Sequence, residues 1–201
     1  MKVLGITGGL GSGKSMVMDY ITKAYNARGI QADLVAHDLM QPGQSCYNQI
    51  VEYFGSGILK SDFTIHRQKL GALVFADREK LEKLNRLVHP RVKEYIVSEI
   101  RKERNTGKTP LVVIEAALLI ENGYQVICDE IWYIYTKKDV RYRRLVSERG
   151  YSEEKMEQII KNQLTDEEYR KYCHFIVDNS SDIMENTFKQ INKGLVEHEF
   201  L

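Results

Sequence analysis

The run Gly8-Gly9-Leu10-Gly11-Ser12-Gly13-Lys14-Ser15 constrains this chain more than any other stretch. It fits G-x-x-x-x-G-K-[ST] in full, and its flanks decide what the match means. Lys2 to Thr7 is a short apolar run suited to a buried strand. From Ser15 to Ala27 there is no Gly or Pro, and Val17, Ile21, Ala24 and Tyr25 recur at helical spacing before Gly29 closes the segment. A glycine turn between strand and helix lets successive N–H groups curl inward, and the helix adds its positive N-terminal end. Phosphate oxygens are the guest such a cage fits. Gly8, Gly9, Gly11, Ser12 and Gly13 supply the backbone, Lys14 a point charge for the β and γ phosphates, and Ser15 a hydroxyl for Mg²⁺. A ligand-free glycine turn is the other reading, and the two flanking elements weigh against it.

The rest of the chain alternates strands and helices. Ile30 to Ala36 reads as a second strand, Pro42-Gly43 as a break, and residues 46 to 54 as a helix. Residues 67 to 105 carry helical patterns interrupted at His89-Pro90. Leu111 to Ile114, Glu130 to Tyr135 and Phe175 to Val177 complete the strands. Thr136 with Asp139, Thr165 with Glu168, and Asp182 with Glu185 have the spacing of capping boxes and mark helix starts. The pattern predicts an α/β fold of the P-loop NTPase type, a doubly wound, mainly parallel five-stranded sheet with a helical substrate-binding insertion and a helical lid. At 201 residues the chain suits one domain, burying about 70% of its unfolded surface. Its core falls at 1–36, 108–136 and 172–201, the acceptor-binding helical region at about 37–107 and the lid at about 137–171.

Charge and cysteine content exclude several classes. Lys and Arg total 29 against 28 Asp and Glu, so bulk attraction to nucleic acid or an anionic membrane is not expected. Cys46, Cys128 and Cys173 are far apart and make no C-x-x-C pair, which fits a reducing compartment and neither a disulfide framework nor a zinc site. The N-terminal apolar run is too short for a signal peptide, and no stretch approaches the roughly 18 apolar residues of a membrane span. A cytoplasmic location is expected, and no feature specifies an oligomeric state.

A switch GTPase needs a guanine-reading N-K-x-D run, but Asn192-Lys193 is followed by Gly194 and Leu195. A small-molecule kinase fits the inventory better. Asp33, towards the end of the second predicted strand, is placed to accept a proton from an attacking hydroxyl, a role worth on the order of 10²- to 10⁴-fold. It would equally serve as a cap or turn former. Glu115 follows an apolar strand, as a Mg²⁺-holding carboxylate does, or as a terminal charge reaching solvent does. Glu121 is a candidate for the acceptor pocket. Arg141, Arg143, Arg144 and Arg149 gather on one predicted helix. They suit either a solvated face, with Arg144 paired to Glu148, or a lid that brings positive charge to a transferring phosphoryl group.

Further motifs follow in order: Ala32-Asp33 with Pro42-Gly43, Phe54-Gly55, Arg67 with Leu70 and Phe75, and Leu87-Val88-His89-Pro90. Leu118-Leu119 with Glu121, Arg144 and Arg149, Gln163, and Ile176-Val177-Asp178-Asn179 complete the set. Together with Thr7 and the glycine loop they resemble the dephospho-CoA kinase family from the first strand to about Asn179. The resemblance implies transfer of the ATP γ-phosphate to the ribose 3′-hydroxyl of dephospho-CoA, giving CoA and ADP in the last step of coenzyme A synthesis. It also implies that Gly11 to Met16 grip the ATP phosphates and that Asp33 is the base for the 3′-hydroxyl. Arg67 and His89 would help hold dephospho-CoA, Arg144 and Arg149 would close the lid, and Asn179 would lie near the adenine. The chain departs from the family pattern with Gln31 for the first aspartate of Asp-Ala-Asp, Met16 for Thr, His37 for Arg, Ala117 for Pro, and Cys173-His174 for Ala-Asp. Two other functions suit the glycine loop: a kinase for another small hydroxyl or monophosphate acceptor, and a non-catalytic nucleotide-binding switch.

Overall fold

A computed structural model describes residues 1–152, 156–157, 160–161 and 163–201, without the side chains of Glu148 and Arg149. Its elements are β1 (Lys2–Thr7), α1 (Lys14–Ala24), β2 (Arg28–Gln31), α2 (Ala32–Leu39), α3 (Tyr47–Phe54), α4 (Arg67–Phe75) and α5 (Arg78–Thr106). These are followed by β3 (Leu111–Glu115), β4 (Glu130–Tyr135), α6 (Lys138–Arg149), α7 (Asp166–Tyr172), β5 (Phe175–Asp178) and α8 (Met184–Glu197). They form two compact units, one of Met1–Gln31 with Ile100–Leu201 and one of Ala32–Glu99.

The first unit is built on five strands in the order β2-β3-β1-β4-β5, every pairing parallel. β1 is central because its sequence is apolar on both faces, and five of its six residues are buried. Leu4 and Ile6 join Val113, Trp132 and Ile134 on the face covered by Val17 and Ile21 of α1 and Ile191 and Leu195 of α8. On the opposite face, the sheet packs against Leu119 and Cys128, close enough that a Cβ on Gly5 would stand 3.0 Å from the Cys128 thiol. Tyr169 of α7 stacks on Tyr133 of β4 at 4.6 Å. A parallel sheet ends all its strands on one edge, so the segments after β1, β3, β4 and β5 come together there.

The second unit is helical. Cys46 beneath α3 is fully buried and approaches the Leu87 carbonyl of α5, while Ile50, Leu70, Val74 and Val88 fill the interior. A cavity of about 170 Å³ opens among Met40, Ile65, Leu70 and Val74, with His37 and Arg67 on its lining.

Several local expectations are corrected. β2 ends at Gln31, and the residues expected to extend it, Ala32 to Ala36, belong to α2. Gly29 lies within β2, and the turn after α1 is made by Asn26 at φ 50°. Pro90 does not interrupt the helix but sits inside the 29-residue α5. Of the three expected capping boxes, Thr165 and Glu168 form one, with the Thr165 side chain accepting from Glu168 N and the Glu168 carboxylate accepting from Thr165 N. Lys137 occupies the N-cap of α6 and Ile183 that of α8, so Thr136 and Asp182 have other roles.

Candidate active site

Where β1 ends, the chain folds back tightly: Ser12 N donates to Gly9 O at 3.1 Å. Gly11 (φ 77°) and Gly13 (φ 85°) lie in the left-handed region, where a side chain would be strained. Gly8 is needed for space against backbone, and Gly9 leaves room for the Arg141 guanidinium. A Cβ on Gly8 would lie 2.6 Å from Ile134 O, and one on Gly9 2.5 Å from Cζ of Arg141. Gly13 is also the N-cap of α1, which has neither a capping side chain nor an acidic residue in its first turn. The positive N-terminal end of α1 therefore suits an external anion.

The loop's carbonyls are turned away from that role. Lys14 Nζ donates to Gly8 O at 2.8 Å and Gly9 O at 3.2 Å, and the residue is only 9% exposed. Arg141 Nε donates to Leu10 O at 2.9 Å. Ser12 O accepts from Asn179 Nδ2 at 2.8 Å, with Thr136 Oγ1 3.0 Å away. Asn179 is itself fixed by Thr187, whose hydroxyl donates to its Oδ1 at 2.9 Å. The Asn179 side chain is thus committed to bracing the loop. Thr136, expected to be a cap, is drawn into the same brace.

Ser15 Oγ donates to Glu115 Oε1 at 3.0 Å, bringing together the two residues expected at a cation. The other oxygen, Oε2, accepts from Gln31 Nε2 at 2.7 Å. Gln31, marked in the sequence only as a departure, proves to orient the carboxylate. Met16, in the first turn of α1, packs against the apolar core. Arg144 donates to Asn179 O at 3.1 Å and lies near Gly13, so it joins Arg141 as a second arginine of the basic cluster to reach the loop. Arg149 closes α6, but its side chain and that of Glu148 lie outside the described residues. Glu121 lies within the turn that follows β3. Although Glu121 is exposed, partial desolvation, with the nearby Glu168 carboxylate adding to it, raises its pKa above the ordinary carboxylate value.

In the second unit, Asp33 is exposed in the first turn of α2 instead of ending a strand. Arg67 begins α4 and shares its cavity with His37, while His89 lies mid-way along α5. Sequence reasoning overlooked Gln31, Thr136 and the contact of Arg141 with the loop. The Gln31 signal was available in its position beside Glu115 on a neighbouring parallel strand.

A nucleotide and its Mg²⁺ fit these residues. The glycines keep the cradle clear of side chains. Ser12 Oγ and Thr7 Oγ1, in the loop and at its entry, are buried with no partner among the described residues. The hydroxyl of Ser15 and the carboxylate of Glu115 are hard oxygen donors suited to Mg²⁺, which typically takes one or two protein oxygens and completes its shell with phosphate and water.

A parallel sheet whose central strand feeds a glycine loop, a buried lysine and a hydroxyl–carboxylate pair defines the class of P-loop kinases. Within it, the family model of dephospho-CoA kinase matches residues 2–185, and the chain belongs to that family. It is 37% identical over 180 residues to the dephospho-CoA kinase of Lactobacillus johnsonii, covering 90% of each chain. It is also 37% identical over 194 residues to that of Aquifex aeolicus, covering 96% of this chain and 95% of the relative. In fold it is similar to a crystal structure of a Thermus thermophilus protein, with a TM-score of 0.82 at 24% identity over 98% of this chain and 97% of that one.

Proposed function

We propose that this chain transfers the γ-phosphoryl group of ATP to the ribose 3′-hydroxyl of dephospho-CoA, releasing CoA and ADP. The observation that carries the reading is the Ser15–Glu115 pair at the foot of the glycine loop, in a chain whose family membership spans nearly its whole length. Backbone N–H groups from Gly8 to Met16 bind the phosphates, and Lys14 balances the charge of the β and γ groups. Its present contacts with two loop carbonyls are ones a phosphate would replace with stronger, charge-assisted bonds. Ser15 and Glu115 hold Mg²⁺, which when bound neutralises charge on the phosphates.

Asp33 accepts the proton of the attacking 3′-hydroxyl from an exposed position in the first turn of α2. Arg67, His89 and Glu121 bind the acceptor. The cavity beside Arg67 offers an apolar wall and a cation, which suits a substrate with both an alkyl-amide arm and phosphates. Arg144 and Arg149 supply charge over the phosphates and exclude water, and Asn179 borders the nucleotide from behind the loop. Such an arginine contributes about 10³- to 10⁵-fold in phosphoryl transfers. A cytoplasmic location and a small-molecule partner belong to the same reading; among the described residues no helix is long and apolar enough to cross a membrane.

The test is ADP release from ATP and Mg²⁺ with dephospho-CoA, AMP, adenosine or shikimate as acceptor. Turnover with dephospho-CoA and recovery of CoA are expected. Turnover only with another acceptor, or none with any, refutes the proposal.

A further inference from the structure

Leu10 stands at the crest of the glycine loop, and side chains from outside the loop hold both of its peptide groups. Its carbonyl accepts from Arg141 Nε at 2.9 Å, and its N–H donates to Gln163 Oε1 at 3.1 Å. The ring is closed by Arg141 Nη2, which donates to the same Gln163 oxygen at 3.2 Å. Residues 22 positions apart therefore jointly hold the two peptide groups that flank Leu10.

We infer that Arg141 and Gln163 are a coupled pair of positioning residues that set the orientation of the Leu10–Gly11 peptide, and with it the direction of the Gly11 N–H that the loop presents to phosphate. The inference rests on reading the loop as a phosphate cradle, and it does not depend on the acceptor.

The argument is geometric. In a trans peptide the carbonyl and the following N–H point in opposite directions, so holding Leu10 O against Arg141 aims the Gly11 N–H away from α6. Without that hold the plane would be easily turned, because Gly11 already lies at φ 77° and glycine tolerates either sign of φ. The neighbouring Ser12 carbonyl is anchored in the same manner by Asn179. Arg141, Arg144 and Leu145 occupy successive positions on one face of α6, and they meet Gly9, Gly13 and Gly11 respectively. Gln163 has a specific part in this. Two donors converge on its oxygen, so its acceptor fixes where the guanidinium lies, and the guanidinium then fixes the peptide. Lysine cannot reproduce this, since it lacks the planar fork that reaches Leu10 and Gln163 together.

The experiment uses the full chain and the variants Arg141→Lys, Gln163→Leu, Gln163→Glu and the Arg141→Lys/Gln163→Leu double. Hydrogen exchange over residues 8–15 is followed without nucleotide, and binding of a fluorescent ADP analogue is titrated without acceptor. Arg141→Lys and Gln163→Leu are each expected to speed exchange and weaken binding by about tenfold, the loss of roughly one hydrogen bond. The double variant is expected to be no worse than either single one, as for a coupled pair. Gln163→Glu keeps an acceptor for both donors and is expected to stay within about twofold of the parent. The inference is overturned by wild-type behaviour of Arg141→Lys or Gln163→Leu, by losses that multiply in the double variant, by a Gln163→Glu loss as large as that of Gln163→Leu, or by a parent chain that does not bind ADP. Normal ADP binding without dephospho-CoA turnover would refute the proposed function and leave this inference standing.

Discussion

Glu115 shows how much one residue's role depends on what holds it. Its two oxygens are occupied separately, one by Ser15 and the other by Gln31, so the carboxylate is both oriented and adjacent to a second hard oxygen donor. Glu115→Gln preserves size and removes the charge. It is expected to raise the Mg²⁺ concentration for half-maximal activity by about 10- to 100-fold, the range found when metal-site partners are lost. An unchanged Mg²⁺ titration would assign the pair a structural role. Asp33→Asn is expected to leave nucleotide affinity intact and to slow single-turnover transfer at least about tenfold, the low end for a general base; an unaltered rate would exclude Asp33 as the base. Glu121 presents a pH effect of opposite sign to most carboxylates. Because partial desolvation and then Glu168 raise its pKa in the fold, the folded chain holds that proton more tightly than the unfolded chain does, by a margin that the solvent around this exposed residue keeps small. Its stabilising contribution is thus present below the ordinary value of 4.5 and is lost as pH rises through the raised one. Glu121→Gln should therefore unfold at higher urea than the parent at pH 7, with the advantage shrinking below about pH 4; an equal advantage at both pH values would refute this account.

At the scale of elements, what the sequence revealed depended on how local the deciding interaction was. Strands β1, β3 and β4 were legible because buried parallel strands must be apolar runs, and the edge strand β5 because its short apolar run ends at the turn residues Asp178-Asn179-Ser180. The glycine loop was legible because its chemistry is contiguous in sequence. The boundary of β2 was not. Ile30 to Ala36 has no Gly or Pro to mark a turn, and only the structure shows Ala32 and Val35 buried with Leu34 58% exposed, the spacing of a helix. Pro90 misled for the reverse reason. Val88, Val92, Ile96 and Ile100 form a buried stripe that passes straight through it, and that packing outweighs the hydrogen bond its ring removes. The bracing of the loop was invisible because Arg141, Gln163, Thr136 and Asn179 come from separate elements, and no local spacing joins them to residues 8–15. Helix α8 supplies a test of packing at this scale. A Cβ on Gly194 would stand 2.6 Å from Phe175 and 2.8 Å from Trp132. Gly194→Ala is thus expected to destabilise by about 1–3 kcal/mol through overpacking, even though alanine favours helices. A thermal midpoint equal to or above that of the parent would show that the aromatic cluster yields without cost.

For the whole molecule, the shape of the loop is held by side chains from several elements. The carbonyls of Leu10 and Ser12 are held by Arg141 and Asn179, side chains from outside the loop, while Ser12 Oγ is buried with no hydrogen-bond partner among the described residues. A ligand that engages the loop in this shape binds the folded chain and not the unfolded one, so it must stabilise the fold by mass action. At 100 times its dissociation constant the gain is about 2.7 kcal/mol, which for a chain of this length corresponds to about 5–10 °C in melting temperature. Trp132 is the sole tryptophan and lies fully buried in the sheet that carries the loop, so its fluorescence reports the unit concerned. ADP should raise the Trp132 transition by that amount, and Lys14→Ala should reduce the shift to a small fraction. Adenosine, which has no phosphate to engage the loop, should produce little at the same concentration. If adenosine stabilised as strongly as ADP, recognition would reside in the base and sugar, and the held carbonyls of Leu10 and Ser12 would need another explanation than preparation for phosphate.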